Sequence, residues 1–288
     1  MEDELKSADP ALFIEHLEAL MDPWRVLTSP VFIGMDRVPQ DRPLLFVGNH
    51  TLFGLIDAPF LVLELYKRHK IWVRSLGDHL HFKVPGWGSM LKYYGVVDGT
   101  RRNCNMLMEA QEAILVFPGG AREVSKRKGE KYKLIWKERL GFVRMALRHG
   151  CTIVPFSAVG VEDSFDILID SEEIFNSPLG KVLRRLKVRE DAVWPIAKGI
   201  GLTPLPRPQR LYFHISEPIS TTEWAGKDDD DELCRALRRQ VAAAVTEGID
   251  HLIEYRRTDP KRDILPRVLH EAGRRIFGGI DAMGKAKT

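Results

Sequence analysis

The sequence predicts an α/β protein, with a central mixed, largely parallel sheet flanked by helices and helical extensions at its amino and carboxyl ends. Three observations predict it. Short apolar runs alternate with helical stretches through the middle of the chain, which is the pattern of a layered α/β fold. Two of those runs, 44–47 and 113–116, break abruptly into small and polar residues, as strands do where they deliver functional groups to the carboxyl edge of a sheet. Gly150 stands between a helical stretch and the run beginning at Thr152, where a helix C-cap belongs.

Taken in order, residues 11–27 read as a helix with Leu12, Leu17, Leu20 and Trp24 among its apolar positions. Pro30, Pro39 and Pro43 punctuate the approach to the first strand. Candidate strands are 44–47, 71–75, 93–97, 113–117, 152–156 and 211–216, and helical stretches lie near 57–69, 102–112, 138–149 and 178–187. From Asp228 to Arg257, four aspartates precede Leu233, Leu237, Val241, Ala244, Val245 and Leu252, which suits the first turn and one face of a long helix. Beyond Pro260 a further basic helix is expected, ending after Gly278 and Gly279. The expected organisation is an amino-terminal helical segment (1–30), a central α/β domain (31–220) and a carboxy-terminal helical extension (221–288).

The 288 residues, 44% hydrophobic and 29% charged, suffice for one large core or two modest ones and exclude a disordered chain. A net charge of +3 is too small to argue for nucleic acid. Cys104, Cys151 and Cys234 have no paired spacing, so neither a metal motif nor a disulfide frame is expected and a reducing cytoplasm is. The acidic start, Met1-Glu2-Asp3-Glu4-Leu5, does not read as a secretory signal. Residues 44–65 are apolar and long enough to cross a bilayer, but Asn49, His50, Asp57 and Glu64 fall inside them. A central aspartate alone costs about 2.5–3.5 kcal/mol on insertion. A strand, a polar turn and a helix explain the run better.

The functional signal lies where the two apolar runs end. Asn49-His50 follows the first, and Phe117-Pro118-Gly119-Gly120-Ala121-Arg122-Glu123 follows the second. A neutral imidazole suits a general base at neutral pH, and an aspartate on its other nitrogen would fix its tautomer. The plainer reading is a hydrogen-bonded loop histidine with Asp57 as a helix N-cap. The Gly119-Gly120 turn lets backbone amides approach a ligand closely, and Arg122 adds a fork of donors. The plainer reading there is a tight turn with Arg122 paired to Glu123 or another carboxylate.

Four blocks carry a resemblance to a known family. Asn49-His50 with Asp57 resembles the His-x4-Asp motif of the glycerolipid acyltransferases, here with six intervening residues. The stretch 95–103 is similar to their second block, Phe117 to Glu123 to their third (F-P-E-G-T-R-S), and Ile153-Val154-Pro155-Phe156 to their fourth. The wording F-P-G-G-A-R-E, followed by the Tyr-Lys-Leu-x-Trp-Lys-x-Arg stretch from Tyr132, is most similar to the phytyl ester synthase and diacylglycerol acyltransferase type 2 branch. Gly119 stands where the phosphatidate-making enzymes have glutamate, and Glu123 where they have serine.

The resemblance implies a glycerol-3-phosphate acyltransferase-like fold and an O-acyltransferase that moves a fatty acyl group from acyl-CoA or acyl carrier protein to a lipid hydroxyl. It implies His50 as base with Asp57, and a substrate site from Asn49, Arg101, Arg102, Phe117, Pro118, Gly119, Gly120, Arg122 and Glu123. No cofactor beyond the acyl donor is implied. Phosphates of coenzyme A would meet Arg101, Arg102, Lys126 or Lys128. The altered third block favours a neutral glycerolipid or long-chain alcohol. A lysophosphatidate or lysophospholipid acceptor is the alternative, and a lipid-binding protein without turnover is the rival from another class.

His79 and His81 lack the further ligands of a zinc site. No Gly-x-Ser-x-Gly elbow or phosphate-binding loop occurs. Lys181, Arg184, Arg185, Lys187 and Arg189, interleaved with apolar residues and followed by Trp194 and Ile196, suit docking on an anionic membrane surface or an ordinary amphipathic helix packed on the sheet. The expected location is cytoplasmic, peripheral on the inner face of a membrane, with no nucleic-acid partner.

Overall fold

The structure is a computed structural model and describes residues 9–54 and 56–268. Its centre is an eight-stranded sheet. In chain order the elements are α1 (Pro10–Thr28), β1 (Val31–Ile33), β2 (Leu44–Gly48), α2 (Ala58–His69), β3 (Val73–Gly77), α3 (His79–Phe82), α4 (Trp87–Tyr93), β4 (Val97–Asp98), α5 (Arg101–Glu109) and β5 (Ala113–Val116). There follow α6 (Ala121–Val124), α7 (Gly141–His149), β6 (Thr152–Val159), β7 (Asp166–Ile169), α8 (Ser171–Asn176), α9 (Pro178–Arg185), β8 (Ile196–Lys198), β9 (Tyr212–Ile215), β10 (Ile219–Ser220) and α10 (Asp231–Thr258).

The spatial order is β1-β9-β6-β2-β5-β3-β4, with β10 on β6. β6, β2, β5, β3 and β4 run parallel, while β9 and β10 are antiparallel to β6. This is the mixed, largely parallel sheet expected. β7 and β8 pair separately as a two-stranded ribbon.

A strand buried on both faces reads as an unbroken apolar run, and β2 shows why. Leu44 and Phe46 enter a core with α1 and α2, while Leu45 and Val47 enter the opposite core with α7 and α10. Cys234, Leu237, Val241, Val245, Ile249 and Leu252 of α10 all lie in that second core. The helix expected beyond residue 221 therefore seals one face of the sheet, and α1 packs on α2 at the other.

One predicted strand needs correction. Tyr93 ends helix α4, Gly95 turns with φ +69°, and only Val97 and Asp98 are extended, so 93–97 is mostly a helix end. Gly150 does cap α7, at φ +58°. Residues 264–268 are helical, and the rest of the expected terminal helix lies outside the described residues. Among the described residues no helix is long and apolar enough to cross a membrane, and no group of three His, Cys, Asp or Glu could hold a metal ion.

Candidate active site

β2 and β5 are neighbours in register, Val47 opposite Val116, so the segments that follow them emerge side by side at the carboxyl edge of the sheet. His50 and Phe117 meet there. Their rings stack with centroids 3.9 Å apart and planes 10° from parallel. Phe117 also meets Phe156 of β6 edge to face. Gly54, at φ +62°, folds the loop back over His50 so closely that a Cβ there would overlap the imidazole. The ring is thus fixed between Phe117 and a glycine that only a missing side chain permits.

His50 Nδ1 is buried without a hydrogen-bond partner. Burial, with Lys126 and His81 adding positive charge, lowers the His50 pKa to about 3. The ring is neutral at physiological pH. Asp57 is the N-cap of α2, its Oδ1 accepting from the Ala58 N–H at 2.9 Å. Burial raises it to about 6, against the pull of the Thr51 hydroxyl and the Ala58 N–H. Among the described residues no hydrogen bond joins Asp57 to His50. The helix-capping alternative is the geometry found for this aspartate.

Asn49 is fully buried and uses both ends of its amide on one residue of β6, donating to the Ala158 carbonyl at 2.9 Å and accepting from its N–H at 2.8 Å. These two bonds make it a latch between β2 and β6. Arg122 pairs with Glu130 at 2.5 Å and donates to the Ser125 carbonyl. Of its two expected alternatives, this is pairing with another carboxylate.

Glu123 is fully buried. It accepts from the backbone N–H groups of His50 and Ile135, and a Cβ at Gly119 would overlap its carboxylate. The carboxyl group thus fills the room that the absent side chain of Gly119 leaves. Burial raises Glu123 to about 7, against the pull of Lys126. Gly120, at φ +51°, completes the turn, and Arg139 clamps it by donating to the Pro118 carbonyl at 2.8 Å.

Lys126 departs furthest from the sequence reading. Expected as an exposed phosphate contact, it is 2% exposed and forms an ion pair with Glu162 at 2.5 Å. Glu162 follows β6 and also accepts from the Tyr132 N–H at 2.5 Å. Three adjacent strands, β6, β2 and β5, thus each deliver a charged or titratable group to one edge. Glu162 went unread because its partner lies 36 residues away, although Val159-Gly160-Val161-Glu162 repeats the apolar-then-polar break of the other two strands. A cleft of about 280 Å³ opens beside this pair, between Leu52, Lys126, Phe165 and Ile167. Lys128, on its rim, pairs with Glu173.

Arg101 and Arg102 begin α5 at the same edge of the sheet, beyond β3. Arg102 lines a second cleft, of about 330 Å³, with Phe82, Asp98 and Asn103.

Comparison with known proteins places this edge in a family. Residues 30–159 match the family model described as Acyltransferase. The segment contains His50, Asp57, Phe117 and Arg122. Residues 30–159 are an acyltransferase-family domain. Phytyl ester synthase 2, chloroplastic, from Arabidopsis thaliana is 34% identical over 291 residues, covering 89% of this chain and 40% of that protein. The human DGAT1/2-independent enzyme synthesizing storage lipids is 26% identical over 132 residues, covering 46% of this chain and 40% of that protein. The chain thus spans less than half the length of these relatives. The crystal structure of the 1-acyl-sn-glycerophosphate (LPA) acyltransferase PlsC from Thermotoga maritima superposes with a TM-score of 0.51 at 19% identity, over 83% of this chain and 79% of that one. It has the same fold.

Proposed function

We propose that this acyltransferase-family protein moves an acyl group from a thioester donor, acyl-CoA or acyl carrier protein, to the hydroxyl of a neutral lipid, with His50 as general base. The observation that carries the reading is the neutral His50 imidazole, held against Phe117 at the carboxyl edge of β2. The alcohol oxygen attacks the thioester carbonyl carbon as its proton passes to the imidazole. The tetrahedral adduct then collapses, the C–S bond breaks, and the departing sulfur recovers the proton. Burial opposes a lone imidazolium. In this step the cation forms beside the oxyanion of the adduct, so the site gains an ion pair and no net charge.

Asp57 is the carboxylate nearest in sequence to serve as partner of His50, and its Oδ1 holds the cap on α2. The acceptor is read as neutral because Arg122 is committed to Glu130 and a carboxylate occupies the space under Gly119. Neither arrangement leaves a free cation in the F-P-G-G-A-R-E turn for a phosphate. The name of the plant relatives, phytyl ester synthase, points the same way. One observation favours a second reading, a lipid-binding protein without turnover: His50 and Asp57 are not hydrogen-bonded.

The deciding experiment measures free thiol released from palmitoyl-CoA by purified protein across a panel of lipid alcohols and lysophospholipids, beside His50→Ala. Acceptor-dependent release that falls by about 10²-fold or more in His50→Ala is expected of a general base. Equal background in both folded proteins across the panel would leave the binding reading in its place.

A further inference from the structure

Helix α9 is built inside out. Leu179, Val182, Leu183 and Leu186 follow one another at the three- and four-residue steps that form a single stripe on a helix. Leu179, Val182 and Leu186 are exposed, Leu186 by 69%. The opposite side is seated on α8: Gly180 packs on the Phe175 backbone, where any Cβ would overlap, and Arg184 donates to the Phe175 carbonyl. The seat turns the apolar stripe outward. Lys181, Arg185 and Lys187 flank it and have no ion pair among the described residues.

The chain that follows continues the pattern. Trp194, Ile196, Ile200, Leu202 and Leu205 are exposed, Leu202 by 86%. Residues 178–210 hold eight lysines and arginines against two acidic residues, Glu190 and Asp191, which pair with Arg127 and Arg189. The chain as a whole carries only +3, so the rest of it is net acidic. This apolar surface reaches the candidate active site, because Trp194 packs on Phe53, three residues past His50, with ring centroids 5.4 Å apart.

We propose that α9 and the segment 194–205 dock this protein on an anionic lipid surface, with the aliphatic and Trp side chains in the interface and Lys181, Arg185 and Lys187 on its headgroups. An outward apolar stripe flanked by unpaired cations is the composition of a helix that lies in a membrane interface. The choice of a bilayer as occupant rests on the lipid-acceptor reading above. Charge complementarity selects an anionic one.

The test is flotation of the full chain with vesicles of phosphatidylcholine alone, or mixed with phosphatidylglycerol. The protein floats with the mixed vesicles and far less with phosphatidylcholine. Leu186→Glu/Leu202→Glu, at surface positions that do not threaten folding, loses flotation. Lys181→Glu/Arg185→Glu/Lys187→Glu loses the preference for phosphatidylglycerol, each basic residue being worth roughly fivefold in binding. Leu12→Glu/Leu20→Glu, exposed apolar positions on α1, floats as the parent does. Absence of flotation on mixed vesicles, or unchanged flotation of Leu186→Glu/Leu202→Glu, overturns the proposal. Thiol release in detergent separates the two readings: transfer without flotation removes the docking face alone, and flotation without transfer removes acyl transfer alone.

Discussion

Glu123 and Gly119 share one small volume, so each constrains the other. A methyl group at 119 meets the carboxylate, which is buried and held by two backbone N–H groups. Gly119→Ala therefore costs about 1–3 kcal/mol of stability, as overpacking does. In a Glu123→Ala background the same substitution costs less. Urea unfolding of the four proteins of that cycle measures the coupling, and additive losses would refute it. Glu123 also sets a pH dependence. Its folded pKa is raised from 4.5 to about 7, so the stabilisation of its protonated form is complete below pH 4.5 and is lost as pH climbs through 7. Across that window the parent loses roughly 3 kcal/mol relative to Glu123→Gln. Asp57 acts in the same sense between 3.8 and about 6. His50 acts in the opposite one, since its folded pKa is lowered and stability falls as pH drops from 6.5 toward 3. Denaturation midpoints at a series of pH values separate the three. His50 and Phe117 were legible in the sequence because each follows an apolar run. The Asn49 latch was not, since one amide spanning both backbone groups of Ala158 leaves no periodic trace.

At the scale of elements, the Lys126–Glu162 pair ties the segment after α6 to the turn after β6. Lys126→Ala leaves a buried carboxylate without its cation and lowers stability by about 3–5 kcal/mol, whereas Lys126→Met with Glu162→Leu recovers most of that loss. Equal stability of the single and double variants would show that the pair does not act as a unit. The central strands β2, β5 and β6 and helices α2 and α7 were readable because burial on two faces, or on one regular stripe, writes a period into the sequence. β1, β7, β8 and β10 were not. They are strands of two to four residues with partly exposed side chains, and such short segments carry no period. The stretch 93–97 misled for a related reason: apolar residues of a helix end and of a two-residue strand meet across Gly95.

For the molecule as a whole, the two faces of the sheet depend on distant parts of the chain. α10 supplies Leu237, Val241, Val245 and Leu252 to the core beneath β6 and β9. Leu237→Ala and Leu252→Ala each cost about 2–5 kcal/mol and expose the same face to hydrogen exchange. Loss of protection confined to α10 itself would show that the helix is an appendage.

The position of β2 has a consequence in time. Its loop carries His50, and the strand itself lies between β5 and β6. During synthesis its first neighbour does not exist before residue 113, and its second not before residue 152. His50 is therefore made well before the strands that hold its loop in place. Until β6 arrives, an apolar strand waits with an unpaired edge. Pairings between strands so far apart in sequence form slowly in general, and an unpaired apolar edge is exposed to aggregation until they do.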